Sequence, residues 1–129
     1  MSGQALVLRN TEPMPRSDAP VLAPEAFRAW IVESVGAGAR IAAFFGWQTA
    51  ETAFLTAVLA ADRAGELHAA SCPMEDVFPS ITPSAPQAHW FEREIAEQWD
   101  VRPEGHPWLK PIRFQPPRRV RQRVFGDGR

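Results

Sequence analysis

Apolar and polar residues alternate along this chain with two different periods, and the change of period divides it. From Pro24, the apolar positions Phe27, Trp30, Ile31 and Val35 recur at helical spacing. Proline suits the first helical turn and Glu25 suits the positive end of the helix dipole, so Ala23-Pro24-Glu25 reads as its opening. Gly36 and Gly38 supply the stop. The next stretch reads with period two. Ile41, Ala43, Phe45 and Trp47 alternate with Arg40, Ala42, Phe44 and Gly46. Thr52, Phe54, Thr56, Val58 and Ala60 alternate with Ala53, Leu55, Ala57 and Leu59, and residues 67–70 make a third short strand. Gln48-Thr49-Ala50-Glu51 and Asp62-Arg63-Ala64-Gly65 are the turns between them. Both faces of the second strand are apolar, which predicts a central strand covered on both sides. The Ala- and Leu-rich run 50–63 also admits a helix, since short apolar runs fit either period.

Outside this block, proline organises the chain. Residues 1–20 carry a short apolar run, Ala5-Leu6-Val7-Leu8, followed by three prolines, and read as a weak strand or a loose arm. Pro73, Pro79, Pro83 and Pro86 make residues 72–86 an extended connector. A second helix runs from Pro86 to about Asp100. It places Ala88, Phe91, Ile95 and Trp99 on one stripe, with Glu92, Arg93, Glu94 and Glu97 around the rest. Pro103, Pro107 and Pro111 forbid further helix. The expected organisation is an N-terminal arm (1–23), a domain (24–114) and an extended basic tail (115–129). The expected fold class is α+β: a small, mainly antiparallel sheet, a three-strand meander or larger, packed with two helices.

Charge sharpens the last boundary. The net charge of the 129 residues is −1, but residues 1–101 carry −7 and residues 102–129 carry +6. An acidic body thus ends in a tail bearing Arg113, Arg118, Arg119, Arg121 and Arg123. Thirteen prolines, roughly twice the usual share, and the preference for Arg over the single Lys110 are compositional biases rather than motifs. The chain is long enough for one domain with its own core. No apolar run approaches the ~18 to 20 residues that span a bilayer. The Met1-Ser2-Gly3-Gln4 start lacks the pattern of a signal peptide, so a cytoplasmic setting is expected.

Candidate chemistry is sparse. With Cys72 as its one cysteine, the chain by itself holds no disulfide, Cys-based zinc site or cysteine-ligated cluster. Cys72 precedes Pro73 at a strand end with no basic neighbour, and reads as a buried structural thiol. His89 and Glu92, three apart, could share a helix face, but the H-E-x-x-H spacing is missing, and His68 and His106 would join only through the fold. No phosphate-cradling glycine loop and no G-x-S-x-G is present. Glu92, Glu94, Glu97 and Asp100 could supply an acid/base pair; a solvated or ion-paired helix face is the plainer reading. The run Arg118-Arg119-Val120-Arg121-Gln122-Arg123 could bind phosphates, yet the body is acidic and little aromatic platform accompanies it. An acidic protein surface is the better partner. So proline-rich a tail needs a surface to lie on.

One long spaced pattern outweighs these. The stretch His89-Trp90-Phe91-Glu92-Arg93-Glu94-Ile95-Ala96-Glu97-Gln98-Trp99-Asp100, followed by Val101-Arg102-Pro103-Glu104-Gly105-His106-Pro107-Trp108-Leu109-Lys110-Pro111, resembles the signature of the C-subunit family of respiratory complex I. The ending Gly105-His106-Pro107-Trp108-Leu109-Lys110-Pro111-Ile112-Arg113-Phe114 is similar to the version in energy-converting, membrane-bound [NiFe] hydrogenases. There the module is a separate small subunit or the N-terminal part of the large one. Phe78-Pro79-Ser80-Ile81-Thr82-Pro83 fits as the connector before the helix. The strong likeness covers about 78–114 and the looser one about 24–114. Where the family often has Phe-Gly, this chain has Trp99-Asp100; Trp108 and Pro111 replace an Asp and an Arg usual in complex I versions. These differences point to the hydrogenase branch.

The resemblance implies a structural and docking subunit without a redox centre, packed against the large catalytic subunit and near other subunits of the hydrophilic arm. It implies a nickel–iron centre and iron–sulfur clusters in partner subunits, none in this chain, and a place on the inner face of the cell membrane reached only through the complex. Glu92, Arg93, Glu94, Gly105, His106, Pro107, Trp108, Lys110 and Arg113, with Arg118, Arg119, Arg121 and Arg123 of the tail, are the expected partner-facing residues. Genuine membership of an NADH-quinone oxidoreductase, as its C-type subunit, is the near alternative. Of other classes, a free-standing enzyme using the helix carboxylates and a nucleic-acid binder using the basic tail stay open.

Overall fold

The computed structural model describes residues 5–9 and 19–126. In chain order they form β1 (Leu6–Arg9), α1 (Pro24–Gly36), β2 (Arg40–Gln48), β3 (Ala53–Ala61), β4 (Glu66–Pro73), β5 (Val77–Pro79), a 3-10 turn (Pro86–Ala88), α2 (His89–Trp99) and β6 (Arg102–Glu104). Four strands build one antiparallel sheet in the order β1-β4-β3-β2. The fold is α+β, as the periods imply. The meander has a fourth member because the N-terminal apolar run pairs with β4, Leu6 opposite Ala69 and Leu8 opposite Leu67. Residues 50–63 are not helical. Residues 53–61 are the central strand, buried from Leu55 to Ala60 on both faces.

Both helices cover one face of this sheet. Phe27, Trp30 and Ile31 of α1 and Ile95 and Trp99 of α2 share a core with Leu55, Ala57 and Leu59 of β3 and with Ala70 and Cys72 of β4. A smaller cluster on the other face holds Ala19, Val58 and Ala69, with Leu6, Ala43 and Leu67 against it. A polar chain is buried on that side as well: Trp47 Nε1–H donates to Thr56 Oγ1 at 2.6 Å, and Thr56 Oγ1 bonds Ser71 Oγ at 2.6 Å. α1 ends where Gly38 turns the chain at φ +108°, a backbone shape that favours glycine.

The simple alternation read along β2 is broken. Ile41 pairs with Leu59 while Ala43 pairs with Val58, so a bulge lies between them. The extra residue reverses which side chains face the helices beyond it. Ile41 and Phe44 therefore both enter the helix-side core, and Ala43 joins the other face. The grouping of Ile41 with Ala43, Phe45 and Trp47 is corrected accordingly.

The connector is also more ordered than its prolines suggest. β5 pairs in parallel with β6, Phe78 opposite Pro103, and flanking bonds run from Arg102 N to the Asp76 carbonyl (2.9 Å) and from Ser80 N to the Glu104 carbonyl (2.8 Å). This small ladder ties the chain before α2 to the chain after it.

Candidate functional site

α2 carries the charged residues of the motif, and the packing sorts them by depth. Its apolar stripe turns toward β2, which draws Glu92, Arg93 and Glu97 inward beside it. Glu92 is fully enclosed. It accepts from Ser80 Oγ (2.6 Å) and Thr82 Oγ1 (2.7 Å) through Oε1 and from the Ile81 backbone N–H (2.6 Å) through Oε2. A buried carboxylate requires such donors, and three of them make the connector's Ser80-Ile81-Thr82 a custom seat for it. Glu92 thus holds the connector to the helix within this chain.

Arg93 is 5% exposed. Its Nε donates to the Lys110 carbonyl at 2.8 Å and its Nη2 to the Pro111 carbonyl at 3.2 Å. The guanidinium lies 4.7 Å from the Trp90 ring centre and 5.0 Å from that of Trp108. The chain after α2 turns back through Gly105 at φ +87°, and this return brings Trp108 to Arg93. His106 is placed by the same turn. The Trp108 backbone N–H donates to its Nδ1 at 3.0 Å, which leaves the proton on Nε2, 3.3 Å from the His89 carbonyl. Burial lowers the His106 pKa from its ordinary value; neighbouring Arg93 and His89 push the same way, while the His89 carbonyl and Glu92 act the other way. The neutral ring is the one these bonds require.

Beyond Pro111 the chain lies along α2. Glu97, 3% exposed, accepts backbone N–H groups from Ile112 (2.8 Å) and Arg113 (3.0 Å) on Oε1 and from Gln115 (2.9 Å) on Oε2. Asp100 sits just past the helix in the left-handed region, φ 56° and ψ 46°. Its Oδ2 accepts from Arg121 N (2.5 Å), Gln122 N (2.6 Å) and Arg123 N (2.9 Å), and its Oδ1 from Val124 N (2.7 Å). Burial alone would raise the pKa of this carboxyl, but the four backbone donors together outweigh it and hold it below the ordinary value. The surface that so proline-rich a tail needs is therefore the chain's own second helix.

The remaining expected residues divide between pairs and open surface. Glu94 pairs with Arg113 at 2.5 Å, and Arg121 with Asp76 at 3.1 Å. Arg118 lies over the Trp99 ring at 5.6 Å. Arg119 donates from Nε to the Trp99 carbonyl at 3.2 Å; its pKa is lowered by burial and by neighbouring Arg121. Gly105 and Pro107 are exposed, as are the side chains of Arg123 and of Lys110, the latter over the Trp108 ring. The four helix carboxylates form no open acid/base pair: Glu92, Glu97 and Asp100 are buried against backbone and hydroxyl donors, and Glu94 holds an arginine. Cys72 is buried, and desolvation pushes its thiol up to about 12, so it is the inert structural thiol its position suggests. His89 and His106 come together, ring centres 5.0 Å apart, whereas His68 pairs with Glu66 on β4.

Sequence reasoning missed three parts of this arrangement. Ser80 and Thr82 as seats for Glu92 had no signal beyond lying in the connector. Glu97 and Asp100 read as surface charge, although a residue just past a helix end is where left-handed backbone is common. The meeting of the exposed Trp90 and Trp108 around the half-buried His89 had only its aromatic character to mark it. A groove of about 640 Å³ lies elsewhere, between the end of α1 and the β3–β4 turn, and is lined by Ala39, Leu59, Arg63 and His68 among others.

The model of the family described as "Respiratory-chain NADH dehydrogenase, 30 Kd subunit" matches residues 48–119, more than half of the chain. The match spans β3, β4, the connector, α2 and the first part of the tail. No curated protein matches the chain.

Proposed function

Since this chain belongs to the 30 kDa subunit family of the respiratory-chain NADH dehydrogenase, a family of oxidoreductase-complex subunits, we propose that it is a structural docking subunit. It packs against the catalytic large subunit of a membrane-bound [NiFe] hydrogenase or a complex I-like oxidoreductase, and the redox centres lie in its partners. No described helix is long and apolar enough to cross a membrane, and contact with the membrane comes through the complex.

The observation that carries this reading is how the motif's charged groups are used. Among the described residues, Glu92 and Glu97 each accept at least three hydrogen bonds, and Asp100 at least four, from the chain's own connector and tail. They set the shape of a rigid face, and offer no ionisable group to a substrate. That favours a scaffold over the free-standing enzyme with helix carboxylates as acid and base. Trp108 and Pro111, in place of the residues usual in complex I versions, favour the hydrogenase branch over genuine membership of an NADH-quinone oxidoreductase.

The test is purification of the tagged chain from solubilised membranes of its native host, with partners identified by mass spectrometry. Recovery of a nickel–iron large subunit is the expected result. A quinone-reductase large subunit would move the chain to complex I. Recovery of the chain alone would overturn the docking role.

A further inference from the structure

Two tryptophans stand on the surface where α2 meets the Gly105 turn. Trp90 is 59% exposed and Trp108 53%. Neither is loose. The Arg93 guanidinium lies between them and is itself held by the carbonyls of Lys110 and Pro111. His89 stacks on Trp108 with centres 6.1 Å apart and stands edge-on to Trp90 at 5.5 Å. The Trp108 backbone is held by His106. Both indoles are thus set before any partner arrives, which reduces the ordering cost of binding. Tryptophan and arginine packed together at one spot is the composition of an interface hot spot.

Charge indicates what lies against them. Lys110 Nζ sits 5.0 Å from the Trp108 ring centre. Arg40, Arg113 and Arg121 each pair with a carboxylate. Arg93 and Lys110 have no carboxylate partner among the described residues, and Arg93 Nη1 has no hydrogen-bond partner there. Glu92 lies beneath this face with both oxygens already bonded. The face is aromatic, with the exposed Lys110 at its edge and the buried Arg93 beneath it, neither paired with a carboxylate among the described residues, and its complement is a protein segment bearing carboxylates beside an apolar side chain.

We propose that Trp90, Trp108 and Lys110, set in place by the buried Arg93, form the docking hot spot for an acidic segment of the catalytic large subunit, an inference that rests on the docking role above.

Lys110 is the chain's one lysine, which makes the chemistry directly readable. In the complex purified from native membranes, a zero-length carbodiimide joins Lys110 to an Asp or Glu of the large subunit. The double variant W90A/W108A lowers recovery of the large subunit by about tenfold or more, with a urea midpoint near that of the unaltered chain. If the double variant loses its fold, K110E and the carbodiimide product decide the matter; K110E lowers recovery by about threefold or more. A link from Lys110 to another subunit overturns the proposal and leaves the docking role standing. So does acetylation of Lys110 in the complex as fast as in the free chain, or recovery by a folded W90A/W108A within about twofold of the unaltered chain. If the unaltered chain recovers no large subunit, the docking role itself fails, and this proposal with it.

Discussion

Trp99 lies across Gly46: a Cβ built at position 46 would stand 2.5 Å from the indole Nε1 and 2.8 Å from its Cδ1. The glycine in β2 is therefore a space for the last residue of α2. It lets the helix approach the sheet closely enough to seal the core while Asp100, one residue on, reaches the tail. Met74 also borders this space, its Cε 2.6 Å from the same point.

Gly46→Ala should overpack this contact and destabilise the chain by about 1 to 3 kcal/mol, seen as a lower urea midpoint. Combining it with Trp99→Leu should cost less than the sum of the two single changes, because the smaller side chain returns the space. Additive losses would mean that the glycine serves strand geometry alone.

Glu92→Gln keeps the shape of the side chain but places an amide NH2 among donors that need an acceptor. Hydrogen bonds to a charged group contribute about 1.5 to 3 kcal/mol each way, so a loss of about 2 to 3 kcal/mol in unfolding free energy is expected. Hydrogen exchange should quicken first at the Ile81 amide, which donates directly to Oε2. An unchanged rate at Ile81 would remove Glu92 from its place as the connector's anchor.

Asp100→Asn should free the end of the tail while leaving the sheet intact. The expected readout is faster exchange at the amides of 121–124 and faster tryptic cleavage after Arg119 and Arg121. The pH dependence has the same origin. Because the folded carboxyl titrates below its unfolded value, its contribution is fully present above about pH 4 and is lost as pH falls through the folded pKa. Release of 121–124 between pH 7 and pH 5 would count against the carboxylate as the clasp.

Cys72 should resist alkylation in the native chain at pH 8, since its thiol is pushed up to about 12 and only the thiolate reacts. Modification should proceed at the rate of unfolding and become rapid in denaturant. Fast labelling without denaturant would show that β4 opens locally.

The sequence by itself was enough for what depends on near neighbours. α1 runs over Pro24–Gly36 and α2 over His89–Trp99, close to the limits that apolar spacing, proline at the helix start and glycine at its end imply. β2, β3 and β4 follow from period-two runs between turn residues, and the burial of β3 on both faces from a sequence apolar at every position but Thr56. Family membership was legible in the spaced motif from His89 to Pro111, since such a pattern needs no contact to be read.

Tertiary structure decided the rest. β1 exists because β4 offers it an edge, and β5 and β6, three residues each with a proline in both, exist only through one another. The bulge after Ile41 is invisible in a pattern of apolar residues, as Phe44 and Phe45 are equally suited to either face until the register is set. The roles of Glu92, Glu97 and Asp100 depended on backbone and hydroxyl donors from 10 to 24 residues away in the chain. A carboxylate reads as a surface charge until the fold supplies the N–H groups that make burying it favourable.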